Sequence, residues 1–119
     1  MTTHYPDSDT SPEAETYRKL RATLLALDNA LEIAQAAFAA AQARAIGTRE
    51  ARIQGCAEAL RSSSIFGFSQ DAYRHFEALR CEEQSAWRVA GEAAAHVASI
   101  ARDRKTTHEA LYRPGEHAA

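Results

Sequence analysis

Large apolar side chains are scarce in this sequence, since Leu, Ile, Val and Phe together make up fewer than a fifth of its 119 residues. In a highly charged chain this scarcity would indicate disorder, but the formal net charge is only -2 and alanine fills much of the gap. Alanine lets helices approach closely but buries little apolar area, at about 25 cal/mol for each Å². We therefore expect one helical domain with a light core, whose stability depends on a partner.

Signals for membranes and nucleic acids are also lacking. Acidic and basic residues are interspersed and the sequence pI is about 6.2, so no undiluted basic patch favours nucleic acid or an anionic membrane surface. Residues 1–10 are polar and acidic, without the apolar region of a Sec signal peptide. No later stretch approaches the roughly 20 apolar residues of a membrane span. We expect a soluble cytoplasmic protein without a membrane span, and export without a Sec signal peptide stays open as an alternative.

Catalytic and metal-binding signatures are missing as well. The five histidines are scattered, and the Glu-x-x-His pairs of a di-iron bundle do not occur. Glu92 and His96 are four residues apart, a spacing that ordinary surface contacts explain better than a metal ion. There is no Cys-x-x-Cys, no Gly-x-Ser-x-Gly and no glycine-rich phosphate loop. We expect no enzyme, no cofactor, no metal site and no small-molecule substrate.

Two stretches of helical periodicity flank one interruption at residues 62–69, which holds serines, Phe66, Gly67 and Phe68. Before it, apolar residues recur at alternating steps of three and four: Tyr17, Leu20, Leu24, Leu27, Leu31, Ala34, Phe38, Ala41 and Ala45. After it, the same spacing gives Ala72, Phe76, Leu79, Glu83, Ala86, Ala90, Ala93, Val97 and Ile100. We call each set the seam of its arm. The seams predict an all-α antiparallel helical hairpin with arms over 11–61 and 69–112 and a bend over 62–69.

The ends of the arms carry helix start and stop signals. Thr10 and Glu13 have the spacing of a capping box, and Pro12 suits a first helical turn. Ser69 is a candidate N-cap of the second arm. Residues 1–10 are expected to form a disordered tail, and residues 113–119, which contain a Pro-Gly stop, a loose one.

Polar residues interrupt both seams. In the first arm, Thr48 and Arg52 fall where the seam should continue. The apolar set resumes as Ile46, Ile53, Ala57 and Leu60. This slip predicts a first arm that is bent near Gly47; the alternative is a stop at Gly47 with Thr48 as a new N-cap. In the second arm, Glu83 is costly on the seam unless an arginine pairs with it or the helix rotates to expose it.

The two cysteines lie on opposite sides of the bend. Folding the chain about Phe66 places Cys56 opposite Phe76, which leaves Cys81 offset by roughly 7 Å at 1.5 Å per residue. A disulfide needs Cα atoms about 5.5 Å apart, so it would require an asymmetric bend. We therefore expect two reduced, partly buried thiols.

The leucine-rich part of the first seam is wider than one alanine-rich arm can cover. We expect Leu20, Leu24, Leu27 and Leu31 to form a face that pairs with a second hairpin, as a homodimer or a heterodimer, in a four-helix bundle.

Aromatic side chains gather at the bend and on the arm after it: Phe66, Phe68, Tyr73, Phe76 and Trp87. They either close the end of an alanine core or offer an anchor for another protein. The chain resembles the Trp-X-Gly family of type VII (ESX) secretion substrates, in its Phe-Gly variant. The residues that match are Phe66-Gly67 at the bend, Tyr73, Phe76 and Trp87 on the second arm, and Tyr112 four residues before Glu116. The resemblance covers about the second half of the chain.

The resemblance implies a function as well as a fold. It implies helical hairpins that pair as antiparallel dimers in four-helix bundles, and a composite export signal formed by the bend motif and the C-terminal Tyr-x-x-x-acidic element. We accordingly expect Phe66, Gly67, Trp87, Tyr112 and Glu116 to bind a protein partner. The residues taken without the resemblance predict an intracellular dimeric adaptor or regulatory subunit.

Overall fold

The computed structural model describes residues 5–6, 9–62 and 69–112. Two α-helices hold nearly all of them: α1 spans Pro12–Ser62 and α2 spans Gln70–Tyr112. No strand occurs in these ranges. The predicted all-α hairpin and the bounds of its arms are confirmed to within one residue, whereas residues 63–68 and 113–119 of the predicted bend and tail lie outside the described residues.

The chain divides into two compact units, and each contains a part of both helices. The first unit comprises Met1–Ala34 and His96–Ala119, and the second comprises Gln35–Ala95. In the first unit, Arg104 donates a hydrogen bond to the carboxylate of Asp28, 76 residues earlier in the chain. In the second unit, Arg52 donates to Glu83, 31 residues later. These pairs join α1 to α2 within each unit.

The N-cap of α1 is Ser11 rather than Thr10. The Ala14 N–H donates to the Ser11 hydroxyl at 3.2 Å, and the Ser11 N–H donates to the Asp9 carboxylate at 2.9 Å. The predicted capping box with Thr10 is therefore wrong by one residue. The hydrogen bonds to Ser11 lower the pKa of Asp9 below its ordinary value of 3.8.

Some described residues of the predicted disordered tail contact α1. The Tyr5 ring lies 5.2 Å from the ring of Tyr17, centroid to centroid, and Arg18 donates to the carbonyl of Pro6. These contacts bring an aromatic side chain and a cation of the first helical turns against the segment before the helix. The assignment of residues 1–10 as disordered stays a prediction.

Helix α2 begins as the sequence predicts. The Ala72 N–H donates to the Ser69 hydroxyl at 3.1 Å, and the Tyr73 N–H donates to the Ser69 carbonyl at 3.1 Å. The Ser69 hydroxyl thus satisfies the Ala72 N–H, one of the backbone donors that the first helical turn leaves without an internal acceptor.

Helix α1 passes through Gly47 without interruption. The φ angle of Gly47 lies outside the left-handed range, and the Thr48 hydroxyl donates to the Ala45 carbonyl at 2.7 Å. The alternative of a stop at Gly47 with Thr48 as a new N-cap is therefore wrong. A bend of the continuous helix at this point stays a prediction.

The core is light, as the composition predicts. The buried apolar residues of the described part are Ala14, Tyr17, Ala34, Ile100 and Leu111 in the first unit and Ala45 and Ala90 in the second. Both cysteines are free thiols, but only Cys56 is partly buried, because Cys81 is exposed.

Candidate functional site

The seam of α1 in the second unit continues through polar residues. Arg52 pairs with Glu83 of α2, and Gly55 approaches so closely that an added Cβ would lie 2.5 Å from Leu79 Cδ1. Thr48 lies with Ala86 in the lining of one cavity between the helices. The predicted shift of the seam to Ile46, Ile53, Ala57 and Leu60 is therefore wrong. These four positions do not lie on the side of α1 that contacts α2.

The Arg52–Glu83 ion pair explains how a carboxylate occupies the seam. The side chains of Arg52 and Glu83 are 30% and 14% exposed, so both charges are largely withdrawn from water. A half-buried carboxylate is tolerated when a guanidinium supplies both charge and a hydrogen bond. Of the two outcomes predicted for Glu83, pairing with an arginine is confirmed.

Large apolar side chains displaced from the seam are exposed at regular intervals. On α1, Ile46, Ile53 and Leu60 are 37%, 53% and 60% exposed and lie seven residues apart. On α2, Tyr73 and Trp87 are 59% and 37% exposed and lie fourteen residues apart. A spacing of seven returns to the same face of a helix that packs in a coiled coil.

These two rows share one side of the second unit. Cys56 lies three residues after Ile53 and four before Leu60, which places all three on one face of α1. Cys56 also lines a cavity of about 190 Å³ with Ala59, Ala72, Tyr73 and Phe76. We call the side that carries Ile46, Ile53, Leu60, Tyr73 and Trp87 the apolar face.

The apolar face has a groove along its middle. Phe76, which lines the cavity beside Cys56, also lines a space of about 440 Å³ with Arg52, Arg80, Glu83, Gln84 and Trp87. On the α2 side of this groove, Glu83 pairs with Arg52, and the Arg80 guanidinium donates to Glu77 at 3.0 Å. The groove can thus accept apolar side chains between two rows of exposed apolar residues.

Val89 lies on the opposite side of the second unit. It is 50% exposed, about as much as Ile53, and lines a cavity of about 360 Å³ with Arg44, Thr48 and Glu82. That cavity is lined by alanine, charged and hydroxyl side chains, whereas the rings of Phe76 and Trp87 line the groove of the apolar face.

The leucines predicted to pair with a second hairpin belong to the first unit. Leu20, Leu24, Leu27 and Leu31 are each half-buried, so the hairpin covers only part of their surface. Leu25 and Ile33, which lie beside this seam on α1, are 63% and 72% exposed. The role of the four leucines in pairing stays a prediction.

The residues that carry the type VII resemblance are only partly described. Trp87 lies in the groove of the apolar face. Tyr112 is 39% exposed at the end of α2, and its ring centroid lies 4.6 Å from that of His108. Phe66, Gly67 and Glu116 lie outside the described residues.

One stretch of α1 is apolar enough to cross a membrane by length and composition. Within Pro12–Arg61, an 18-residue window has a mean hydropathy of 1.3, and 6% of it is buried. The expectation that no stretch approaches this composition was too strict. Among the described residues, no group of three or more His, Cys, Asp or Glu is placed to hold a metal ion.

Comparison with known proteins leaves the site to be interpreted from its own geometry. No protein-family model, no curated protein and no solved structure matches this chain.

Proposed function

We propose that the protein is a non-enzymatic interaction module, a helical hairpin that pairs with a second hairpin to form a four-helix bundle. The observation that carries this proposal is an imbalance in the second unit. Among its described residues only Ala45 and Ala90 are buried, whereas the five large side chains of the apolar face are exposed. Helices in proteins draw most of their stability from packing, and two alanines supply little of it. A partner hairpin would provide the missing contacts.

The first unit supports the same proposal through its half-buried leucines. Leu20, Leu24, Leu27 and Leu31 keep part of their surface in water although they lie on the seam. A seam that is wider than the neighbouring helix is typical of helices that meet more than one partner in a bundle.

Sedimentation velocity of the purified wild-type chain at micromolar concentration tests the pairing. We expect a dimer that dissociates on dilution. Leu27→Arg should weaken it at least about tenfold, because a buried interface side chain is replaced by a charge. Ala26→Arg, on an exposed neighbouring position of the same helix, is the matched control and should leave the dimer intact. A wild-type chain that stays monomeric would end this proposal for self-pairing.

The resemblance to the Trp-X-Gly family supports a finer proposal, in which the hairpin is exported by a type VII-like system or pairs with a protein that is. Phe66-Gly67 and the Tyr112 to Glu116 element would then be read by the export machinery. The exposed ring of Tyr112 at the end of α2 is accessible for such recognition. Without the resemblance, the same hairpin suits an intracellular dimeric adaptor or regulatory subunit.

Phe66→Ala and Tyr112→Ala separate these two forms of the proposal. Each variant is measured for helical content by circular dichroism and for its appearance in the culture supernatant of the native host. Export predicts that both variants fold but are released less than wild type. If wild type stays in the cells, or both folded variants leave as efficiently as it does, the intracellular adaptor is the better assignment.

A further inference from the structure

We infer that the apolar face is the docking surface for a second copy of this chain, with α1 of each copy against α2 of the other. In this arrangement the Gln70 ends of both copies lie at the same end of the dimer. The inference rests on the pairing proposed above. It adds the surface through which the hairpins pair, a second copy as the partner, and the relative orientation of the two copies.

The two rows of the apolar face are in register. Arg52 meets Glu83 and Gly55 meets Leu79, which sets Ile53 level with residues 81–82 and within about 3 Å of Arg80 along the helix axis. Seven residues of helix rise about 10.5 Å on either helix. One step of seven therefore brings Ile46 level with Trp87, and the opposite step brings Leu60 level with Tyr73. The apolar face therefore consists of three pairs of side chains, each formed by one residue of α1 and one of α2, and we call this arrangement the ladder. Apolar pairs lie at both ends, and Ile53 lies beside Arg80 in the middle.

This spacing indicates a helical occupant. Rows that repeat every seven residues match the knobs and holes of a left-handed helical bundle, whereas an extended peptide would contact side chains at a period of two. A second copy of this hairpin presents the same repeat at the same height on both of its helices. It can therefore fill the groove between the rows along the full length of the ladder.

Charge favours α1 against α2 of the other copy. Residues 35–61 hold four arginines and two glutamates, and residues 70–95 hold five carboxylates and three arginines. The two helical segments of the second unit thus carry net charges of opposite sign. Packing α1 against α1 would bring like charges together, while packing α1 against α2 brings opposite charges together.

Arg80, in the middle of the ladder, also favours packing of α1 against α2 of the other copy. If the two copies ran in opposite directions about this point, Arg80 would meet its own counterpart. With the Gln70 ends together, Arg80 instead meets Ile53 of the other copy. There the aliphatic part of the arginine can cover the isoleucine, while its guanidinium stays on Glu77.

Sedimentation equilibrium of Ile53→Arg, Ile53→Glu and Val89→Arg tests the surface and the orientation together. Val89→Arg is the matched control, since Val89 is as exposed as Ile53 but lies on the other side of the second unit. We expect Ile53→Arg to weaken the dimer at least about a hundredfold, and Val89→Arg to leave it within about threefold of wild type. Ile53→Glu should bind at least about tenfold tighter than Ile53→Arg, because its carboxylate meets Arg80.

Each outcome decides a separate statement. A wild-type monomer contradicts the proposed function and this inference together. A wild-type dimer that survives Ile53→Arg, but is lost in Leu27→Arg, keeps the proposed function and overturns the apolar face as its surface. Equal weakening by Ile53→Arg and Ile53→Glu overturns the orientation, because isoleucine would then face isoleucine and either charge would repel itself.

A distance measurement checks the orientation independently. A spin label is attached at Ala95→Cys, at an exposed end of the second unit, in the full chain with Cys56→Ala and Cys81→Ser. With both Gln70 ends together, the two labels are separated only by the width of the bundle, roughly 20–30 Å. If the copies run in opposite directions about Arg80, the rise of the helices alone separates the labels by about 45 Å. The longer distance would refute the inferred arrangement.

Discussion

Removing one member of the Arg52–Glu83 pair should destabilise the hairpin, whereas replacing both should cost little. Arg52→Met keeps most of the aliphatic stem but leaves the Glu83 carboxylate, only 14% exposed, without its cation. Glu83→Leu makes the complementary change. The double variant places two apolar side chains on seam positions that adjoin Phe76 and Trp87.

The size of the effect follows from the burial of the two groups. Losing one partner of a fully buried ion pair costs about 3–5 kcal/mol, and exposed pairs contribute less than about 1 kcal/mol. The pair here lies between these limits, so we expect a loss of about 2 kcal/mol for Arg52→Met. The double variant should lie within about 1 kcal/mol of wild type, because well-packed apolar residues can replace a buried pair.

Urea unfolding followed by circular dichroism measures these free energies. All four proteins of the double-mutant cycle must be compared at one protein concentration, since association adds to the stability of the folded state. A double variant whose loss equals the sum of the two single losses would show that the charges do not interact. That result would refute the explanation of how Glu83 is tolerated on the seam.

Three further predictions concern the helix itself and its caps. Gly47→Ala should raise the free energy of unfolding by up to about 1 kcal/mol, because nothing lies within 4 Å of an added Cβ and the helix is continuous there. A lower free energy of unfolding would instead support a helix stop at Gly47. Ser69→Ala should cost about 1 kcal/mol in the same assay and Ser69→Asp much less, since only the first removes the acceptor for Ala72; equal losses would exclude capping. Asp9 has a lowered pKa in the folded state, so its contribution to stability is present above its unfolded pKa and is lost as the pH falls through the folded value. An NMR titration of its carboxyl group should therefore give a pKa below 3.8, and a value at or above 3.8 would contradict the hydrogen bonds to Ser11.

The arms of the hairpin could be predicted because their signals are local and periodic. Steps of three and four set both seams, and a serine before the second seam set its N-cap. The partner of Glu83 could be predicted as an arginine from the cost of a lone carboxylate on the seam. The N-cap of α1 was missed by one residue because Thr10 and Ser11 are both good caps, and the turn at Asp9 favours Ser11.

The seam of α1 beyond Ala45 was misread because hydrophobicity and spacing disagree there. Continuing the steps of three and four leads to Thr48, Arg52 and Gly55, which the structure places against α2. The apolar residues instead lie one residue after the seam positions, as Ile53 follows Arg52. A reading based on hydrophobicity alone therefore assigns the wrong face of α1 to the contact with α2. The signal for the candidate site was present in the sequence as the exact repeat of seven from Ile46 to Leu60. The structure was needed to show which side of α2 lies beside this row of α1. Tyr73 lines the same cavity as Cys56, which places Tyr73 on the side of the row.

The central claim is that this lightly cored hairpin completes its packing with a second hairpin, and the concentration dependence of wild-type thermal unfolding tests it most directly. The midpoint Tm is measured by circular dichroism over a hundredfold range of protein concentration. If pairing stabilises the folded state, Tm should rise by roughly 5–10 °C over this range through mass action. A Tm that stays constant, with full helical content at the lowest concentration, would show that the hairpin is stable alone and would contradict the claim.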